Sequence, residues 1–141
     1  MRLMITRDFD FCAGHRLYRP EWSEQKNKDV FGLCANPNGH GHNYRLEVTV
    51  TGPVDPETGM VMNLRTLKEL VRERVIAEVD HKNLNLDVAW MSGVIPTTER
   101  FAEKIWDRLT QVLATAAPKV RLAELVLHET DNNRVRLTGN A

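Results

Sequence analysis

Asn43-Tyr44-Arg45-Leu46-Glu47-Val48-Thr49-Val50-Thr51-Gly52 alternates apolar and polar side chains without a break until Gly52-Pro53 ends it. Side chains two residues apart on an extended chain project to the same face. Tyr44, Leu46, Val48 and Val50 therefore form an apolar row, and Arg45, Glu47, Thr49 and Thr51 a polar one. This predicts a strand over 42–52 with one face on a core. Upstream, Leu3, Ile5, Phe9, Phe11 and Ala13 share one parity and predict a first strand over 2–15.

Downstream the period changes. After Pro53-Val-Asp-Pro-Glu-Thr-Gly59, a turn by composition, Asn63 suits an N-cap, and Leu64, Leu67, Leu70, Val71, Val75 and Val79 recur at three- and four-residue steps. That predicts an amphipathic helix running out into Asp80-His81-Lys82-Asn83-Leu84-Asn85. Pro96-Thr97-Thr98-Glu99 opens a second helix, with Phe101, Ala102, Ile105, Trp106, Leu109, Val112 and Leu113 as its apolar stripe until Pro118. Residues 120–129 and 134–138 read as two strands joined across Asp131-Asn132-Asn133. The order strand, strand, helix, helix, strand, strand predicts an α+β domain spanning 1–141. Two helices cover one face of a four-stranded, mostly antiparallel sheet. Between the first two strands lies a long loop holding Pro20, Gly32, Pro37 and Gly39. Loops of that length in compact domains are usually functional or disordered, and the reading here is functional.

Nineteen basic and nineteen acidic side chains balance, which argues against a broad nucleic-acid or anionic membrane surface. No apolar run exceeds four residues, and the start, Met-Arg-Leu-Met-Ile-Thr-Arg-Asp, lacks the apolar stretch of a secretory signal. The expectation is no membrane span and a cytoplasmic address. Cys12 and Cys34 are expected as free thiols in a reducing compartment.

The chemistry sits where the two alternating rows meet. The first row ends in His15, and the second is preceded in the same parity by His40 and His42. If the strands pair, three imidazoles converge on one side of the sheet. Alone, His-Gly-His is most often a solvated turn; with His15 it becomes a credible metal site. Three nitrogen ligands with an open fourth position are the pattern of a catalytic zinc site rather than a closed structural one. Cys34, five intervening residues before His40, offers a nearby thiol. Were it to close the set with His15, His40 and His42, the chain would be a zinc-stabilised binding module without turnover. Glu129 shares the parity of Leu125 and Leu127, so its carboxylate points inward and needs a partner. Asp80-His81, at a helix end, reads on its own as a cap compatible with the helix dipole.

The chain resembles the 6-pyruvoyl-tetrahydropterin synthase family. The resemblance is carried in order by Phe11-x-Ala13-x-His15-Arg16, Phe31-Gly32-x-Cys34, Asn36-Pro-Asn-Gly-His-Gly-His-Asn-Tyr44, Asp55-Pro56-x-Thr58-Gly59-Met60-Val61, Asp80-His-Lys-Asn-Leu84, Thr97-Thr98-Glu99 and Glu129-Thr-Asp-Asn-Asn133. It implies the tunnelling fold, in which trimers join their sheets into a barrel and two trimers stack into a homohexamer with active sites at subunit boundaries. It implies conversion of 7,8-dihydroneopterin triphosphate to 6-pyruvoyl-tetrahydropterin with loss of triphosphate, a phosphorus–oxygen lyase reaction of tetrahydrobiopterin biosynthesis. By the same resemblance Zn2+ is held by His15, His40 and His42, and Cys34 is the catalytic thiol. Asp80 and His81 assist it from the neighbouring subunit, Glu129 anchors the pterin, and Thr97, Thr98 and Glu99 lie near the ring. Arg16, Arg19, Lys26 and Lys28 are candidates for the triphosphate. Cys12 replaces a serine frequent in the family and is given no role. The nearest rival is 6-carboxy-tetrahydropterin synthase of queuosine biosynthesis. Its thiol typically precedes the His-x-His pair by three intervening residues, not the five found here.

Overall fold

The alternation over 43–52 is realised as the second of two long strands in the computed structural model, which describes residues 2–139. The first strand, β1 (Met4–His15), and β2 (His40–Thr51) pair antiparallel from end to end, with Phe11 opposite Tyr44 and His15 opposite His40. β4 (Arg121–His128) lies antiparallel on the other side of β2, and β5 (Arg134–Thr138) antiparallel beyond β4. The turn between β4 and β5 closes through the Glu129 amide donating to the Asn133 carbonyl at 3.0 Å.

A fifth strand, β3 (Lys82–Asn83), runs parallel to Ala13–Gly14, giving the order β3-β1-β2-β4-β5. The four-stranded expectation is thus corrected to five. Two residues carry no alternation from which a strand can be read. They pair because the chain leaving Asp80 runs beside the end of β1, where the His81 amide donates to the Cys12 carbonyl and the Leu84 amide to that of Gly14.

The segment between β1 and β2 is not all loop either. It contains α1 (Glu24–Phe31), capped by the Ser23 hydroxyl, and a 3₁₀ turn over Gly32–Ala35. The predicted helix after Asn63 forms as α2 (Leu64–Val71), a π-helical turn at Arg72–Ile76 and α3 (Ala77–Val79). Leu67, Val71, Val75 and Val79 are all buried, yet a strict four-residue step drifts about 40° per repeat around an α-helix. The wider π turn absorbs that drift and keeps the four side chains on the sheet. α4 (Thr98–Ala116) begins at the Thr97 cap and buries Phe101, Ala102, Ile105, Leu109 and Leu113. Among the described residues no helix is long and apolar enough to cross a membrane.

The core closes around Phe101. Its ring meets Phe11 and Tyr44 edge-on at 6.0 and 5.5 Å, while Phe11 and Tyr44 stack at 5.0 Å. Phe101→Ala leaves a cavity between sheet and α4 and is expected to cost about 3–5 kcal/mol, read as a lower denaturant midpoint at unchanged slope. The opposite sheet face is polar but tied together: Thr6 and Thr49 hydroxyls lie 2.7 Å apart, and His128 Nε2 meets Glu47 at 2.5 Å. This His128 hydrogen bond is the main reason the Glu47 carboxyl is held below the usual carboxylate range.

Candidate metal centre and active site

The antiparallel register places His15 opposite His40, and His42 opposite Ala13, two residues along the same face. The three imidazoles therefore meet at the end of the strand pair, with ring centroids 4.7, 5.0 and 4.8 Å apart. Their ligating nitrogens all lie within 4.8 Å of one another, the Nε2 atoms of His15 and His40 only 3.1 Å apart. The convergence expected from parity alone is realised.

His15 and His42 are prepared as neutral ligands. His15, 1% exposed, directs Nδ1 at the Pro96 carbonyl at 2.8 Å. With Nδ1–H donating there, the Nε2 lone pair faces the other two rings, an arrangement typical of metal-bound histidines. Burial is the largest effect holding the His15 pKa below the ordinary histidine value. His42 is also lowered, again chiefly by burial, with Glu129 pulling the other way. Its Nε2 is buried without a hydrogen-bond partner, the state of a nitrogen whose lone pair is reserved for an ion. Donor set and orphaned nitrogen together fit a divalent metal with nitrogen preference.

Glu129, the residue after β4, turns inward as its parity predicts. Its Oε1 stands 3.9 Å from His42 Nε2, and its Oε2 accepts the Thr98 hydroxyl at 2.6 Å. Thr98 opens α4, the Thr97 hydroxyl accepts from the Arg100 amide, and Pro96 just before them holds His15. One short segment thus sets both the ligand and the carboxylate. Glu99, by contrast, is exposed in the first turn of α4. Tyr44 lies beneath, its hydroxyl buried without a partner and its pKa raised, first by burial and then by the Glu129 charge.

Cys34 reaches the neighbourhood through its backbone: its carbonyl accepts from the Leu17 amide at 2.8 Å, two residues beyond His15. The connection from Cys34 to His40 passes tightly under β1. A Cβ on Gly39, whose φ is 69°, would sit 2.7 Å from the His15 carbonyl oxygen, so only glycine fits. The half-buried Cys34 thiol does not join the histidine nitrogens within 4.8 Å. The closed four-ligand set of a binding module is therefore not formed.

Asp80 and His81 meet neither Cys34 nor the histidines of their own chain. Asp80 Oδ1 accepts the Cys12 amide at 3.0 Å and lies 3.0 Å from His81 Nδ1. The Cys12 amide is the leading cause that holds the Asp80 carboxyl below its ordinary value.

A family model described as 6-pyruvoyl tetrahydropterin synthase matches residues 4–140. The chain belongs to this family. It is 47% identical over 135 residues to the 6-pyruvoyl tetrahydrobiopterin synthase of Homo sapiens, covering 96% of this chain and 90% of that protein. Its fold matches the structure of Caenorhabditis elegans 6-pyruvoyl tetrahydropterin synthase with a TM-score of 0.90 at 36% identity, over 99% of this chain and 97% of that one. A putative 6-carboxy-5,6,7,8-tetrahydropterin synthase of Archaeoglobus fulgidus is 39% identical over 85 residues, 60% of this chain and 67% of that protein. Like the relatives so named, the chain is an enzyme of the pterin synthase family.

Of the four candidate phosphate-binding cations in this family member, three already have partners. Arg16 Nε donates to the Ala35 carbonyl, Arg19 pairs with Glu21 at 2.7 Å, and Lys26 Nζ lies 4.3 Å from the centre of the Trp22 ring. Lys28 is exposed in the last turn of α1. Sequence reasoning missed the Pro96 carbonyl, because a backbone acceptor leaves no trace in residue type. It also gave no part to Cys12, which the fold sets against Asp80 and His81.

Proposed function

We propose that the chain converts 7,8-dihydroneopterin triphosphate to 6-pyruvoyl-tetrahydropterin with release of inorganic triphosphate, using zinc held by His15, His40 and His42. The observation that carries this reading is a carboxylate, held by Thr98, set beside three converged imidazoles. Glu129, locked by Thr98, stands 3.9 Å from His42. A pterin whose 2-amino and N3–H groups donate to that carboxylate delivers its three-carbon side chain to the imidazole cluster. Zinc bound there supplies Lewis acidity, lowering the pKa of the side-chain hydroxyls and stabilising enolate character. The Pro96 carbonyl keeps His15 in its ligating tautomer. Cys34 Sγ, as thiolate, removes a proton from side-chain carbon. Asp80 orients His81 through its contact with Nδ1, and the ring exchanges protons with the thiol or substrate.

Asp80 and His81 lie apart from Cys34 within one chain, which fits sites shared between subunits. β5 ends the sheet on one side, and β3 covers only Ala13–Gly14 on the other, so most of the outer edge of β1 lies open. Such edges invite pairing. β1, β2, β4 and β5 alternate in direction, so β5 of one copy continues the antiparallel pattern against β1 of the next. We read this as three copies closing a barrel, two barrels stacking as a hexamer, and a cytoplasmic address that keeps both thiols reduced.

Incubating the purified protein with dihydroneopterin triphosphate tests the reading, with chromatography of the products. The expected result is 6-pyruvoyl-tetrahydropterin with stoichiometric triphosphate. Formation of a 6-carboxy product together with acetaldehyde would replace it with the queuosine-pathway activity.

A further inference from the structure

We infer that Cys12, Asp80 and His81 form a second divalent-metal site, on the sheet face opposite the three histidines. The ligand atoms of the three residues, a sulfur, a carboxylate oxygen and an imidazole nitrogen, all lie within 4.8 Å of one another. Metal bonds of about 2.0–2.3 Å in a tetrahedron place such donors about 3.3–3.7 Å apart. Only small side-chain rotations separate the observed arrangement from that one. The contact between His81 Nδ1 and Asp80 Oδ1 at 3.0 Å parallels the 3.1 Å contact between His15 and His40 Nε2.

The backbone fixes this second set. The His81 amide donates to the Cys12 carbonyl at 2.6 Å, and Asp80 Oδ1 takes the Cys12 amide. His81 is held at φ 61°, the one non-glycine residue with positive φ among those described; the left-handed region is sparsely populated for such residues. Cys12 lies on the parity opposite Ala13 and His15, so it cannot reach the first centre. The cluster opens into a cleft of about 640 Å³ that Asp10, Arg45, Asp131 and Arg134 also line. Two carboxylates there balance two guanidiniums. Selectivity therefore rests on the ligands: thiolate, imidazole and one carboxylate, which suit zinc and disfavour magnesium and calcium. Binding replaces the thiol proton by a sulfur–metal bond and releases that proton to solvent. The remaining coordination positions stay open to water.

Metal binding here does not depend on the proposed function, but one consequence does. If Asp80 and His81 serve as a proton relay, occupancy of this site silences them, and excess zinc inhibits.

Chelator-stripped protein, dialysed against buffered zinc, should take up about two equivalents per chain, and Cys12→Ser about one, held by the histidine centre. That retained equivalent shows that the variant is folded. Cys34→Ser should keep both. With cobalt as probe, a sulfur-to-metal charge-transfer band should grow in with the second equivalent and be missing from Cys12→Ser. Saturation of the wild-type protein at one equivalent, or equal uptake by Cys12→Ser, overturns the site. In turnover assays excess zinc should slow the wild-type enzyme about tenfold or more and leave Cys12→Ser unaffected. Two equivalents without inhibition would uphold the metal site and remove the relay role from Asp80 and His81.

Discussion

His42→Ala is expected to lose the metal equivalent held by the histidine centre and cut kcat/KM by about 10³-fold or more, while the fold survives nearly intact. A Lewis-acid centre is worth several kcal/mol of transition-state stabilisation, and each 1.36 kcal/mol is a factor of ten. Two imidazoles hold a divalent ion far less firmly than three. The fold is spared because His42 is only half-buried and its Nε2 has no hydrogen-bond partner to leave behind. The stability change should therefore stay within about 1 kcal/mol. His15→Ala provides the contrast. That ring is fully buried and bonded to the Pro96 carbonyl, so its removal strands a buried acceptor as well as losing a ligand, at a further cost of about 1–3 kcal/mol. Elemental analysis and denaturant melts on both variants check the pair. Full metal occupancy in His42→Ala would show that the ligand set is wrong.

The two long strands were legible because each alternates apolar and polar side chains, with Arg7 the one break in the first row, and carries histidines on the apolar parity. The register itself, His15 opposite His40, came from the structure. Glu129 was legible for the same reason as the strands: it continues the parity of Leu125 and Leu127 past the end of β4. What escaped reading was structure without periodicity. β3 is two residues long and exists only because a chain returning from α3 finds the β1 edge vacant. α1 is polar almost all round, so no apolar stripe announced it; the Ser23-Glu24 start was the one local cue. Asn27, buried on that helix, fastens the preceding turn through both the amide and the carbonyl of Arg19. The polar residues of a segment read as a functional loop thus build a helix that runs directly into the 3₁₀ turn holding Cys34. Cys12 escaped for a different reason: its neighbours Asp80 and His81 are far away in sequence and reach it only through β3.

Cys34→Ala is expected to keep metal and substrate binding but lose about 10²–10⁴-fold in kcat, the usual worth of a general base. The thiol stands outside the histidine cluster, so its removal should leave every ligand and the Glu129–Thr98 anchor in place. His81→Ala should fall by a similar factor, since the two groups are proposed to act on one proton path. The decisive experiment combines them. Within one chain Asp80 and His81 meet Cys12 rather than Cys34, so the thiol and the imidazole must come from different copies if they cooperate. Co-refolding equal amounts of Cys34→Ala and His81→Ala puts an intact thiol against an intact imidazole at about one in four boundaries, if the copies assemble at random into a closed ring. About a quarter of wild-type turnover should return from two nearly inactive parents. Proteins mixed without unfolding, whose subunits have not exchanged, should stay inactive and provide the control. Turnover no higher than the parents' average after verified exchange would place both groups in one chain's site or remove one of them from the chemistry.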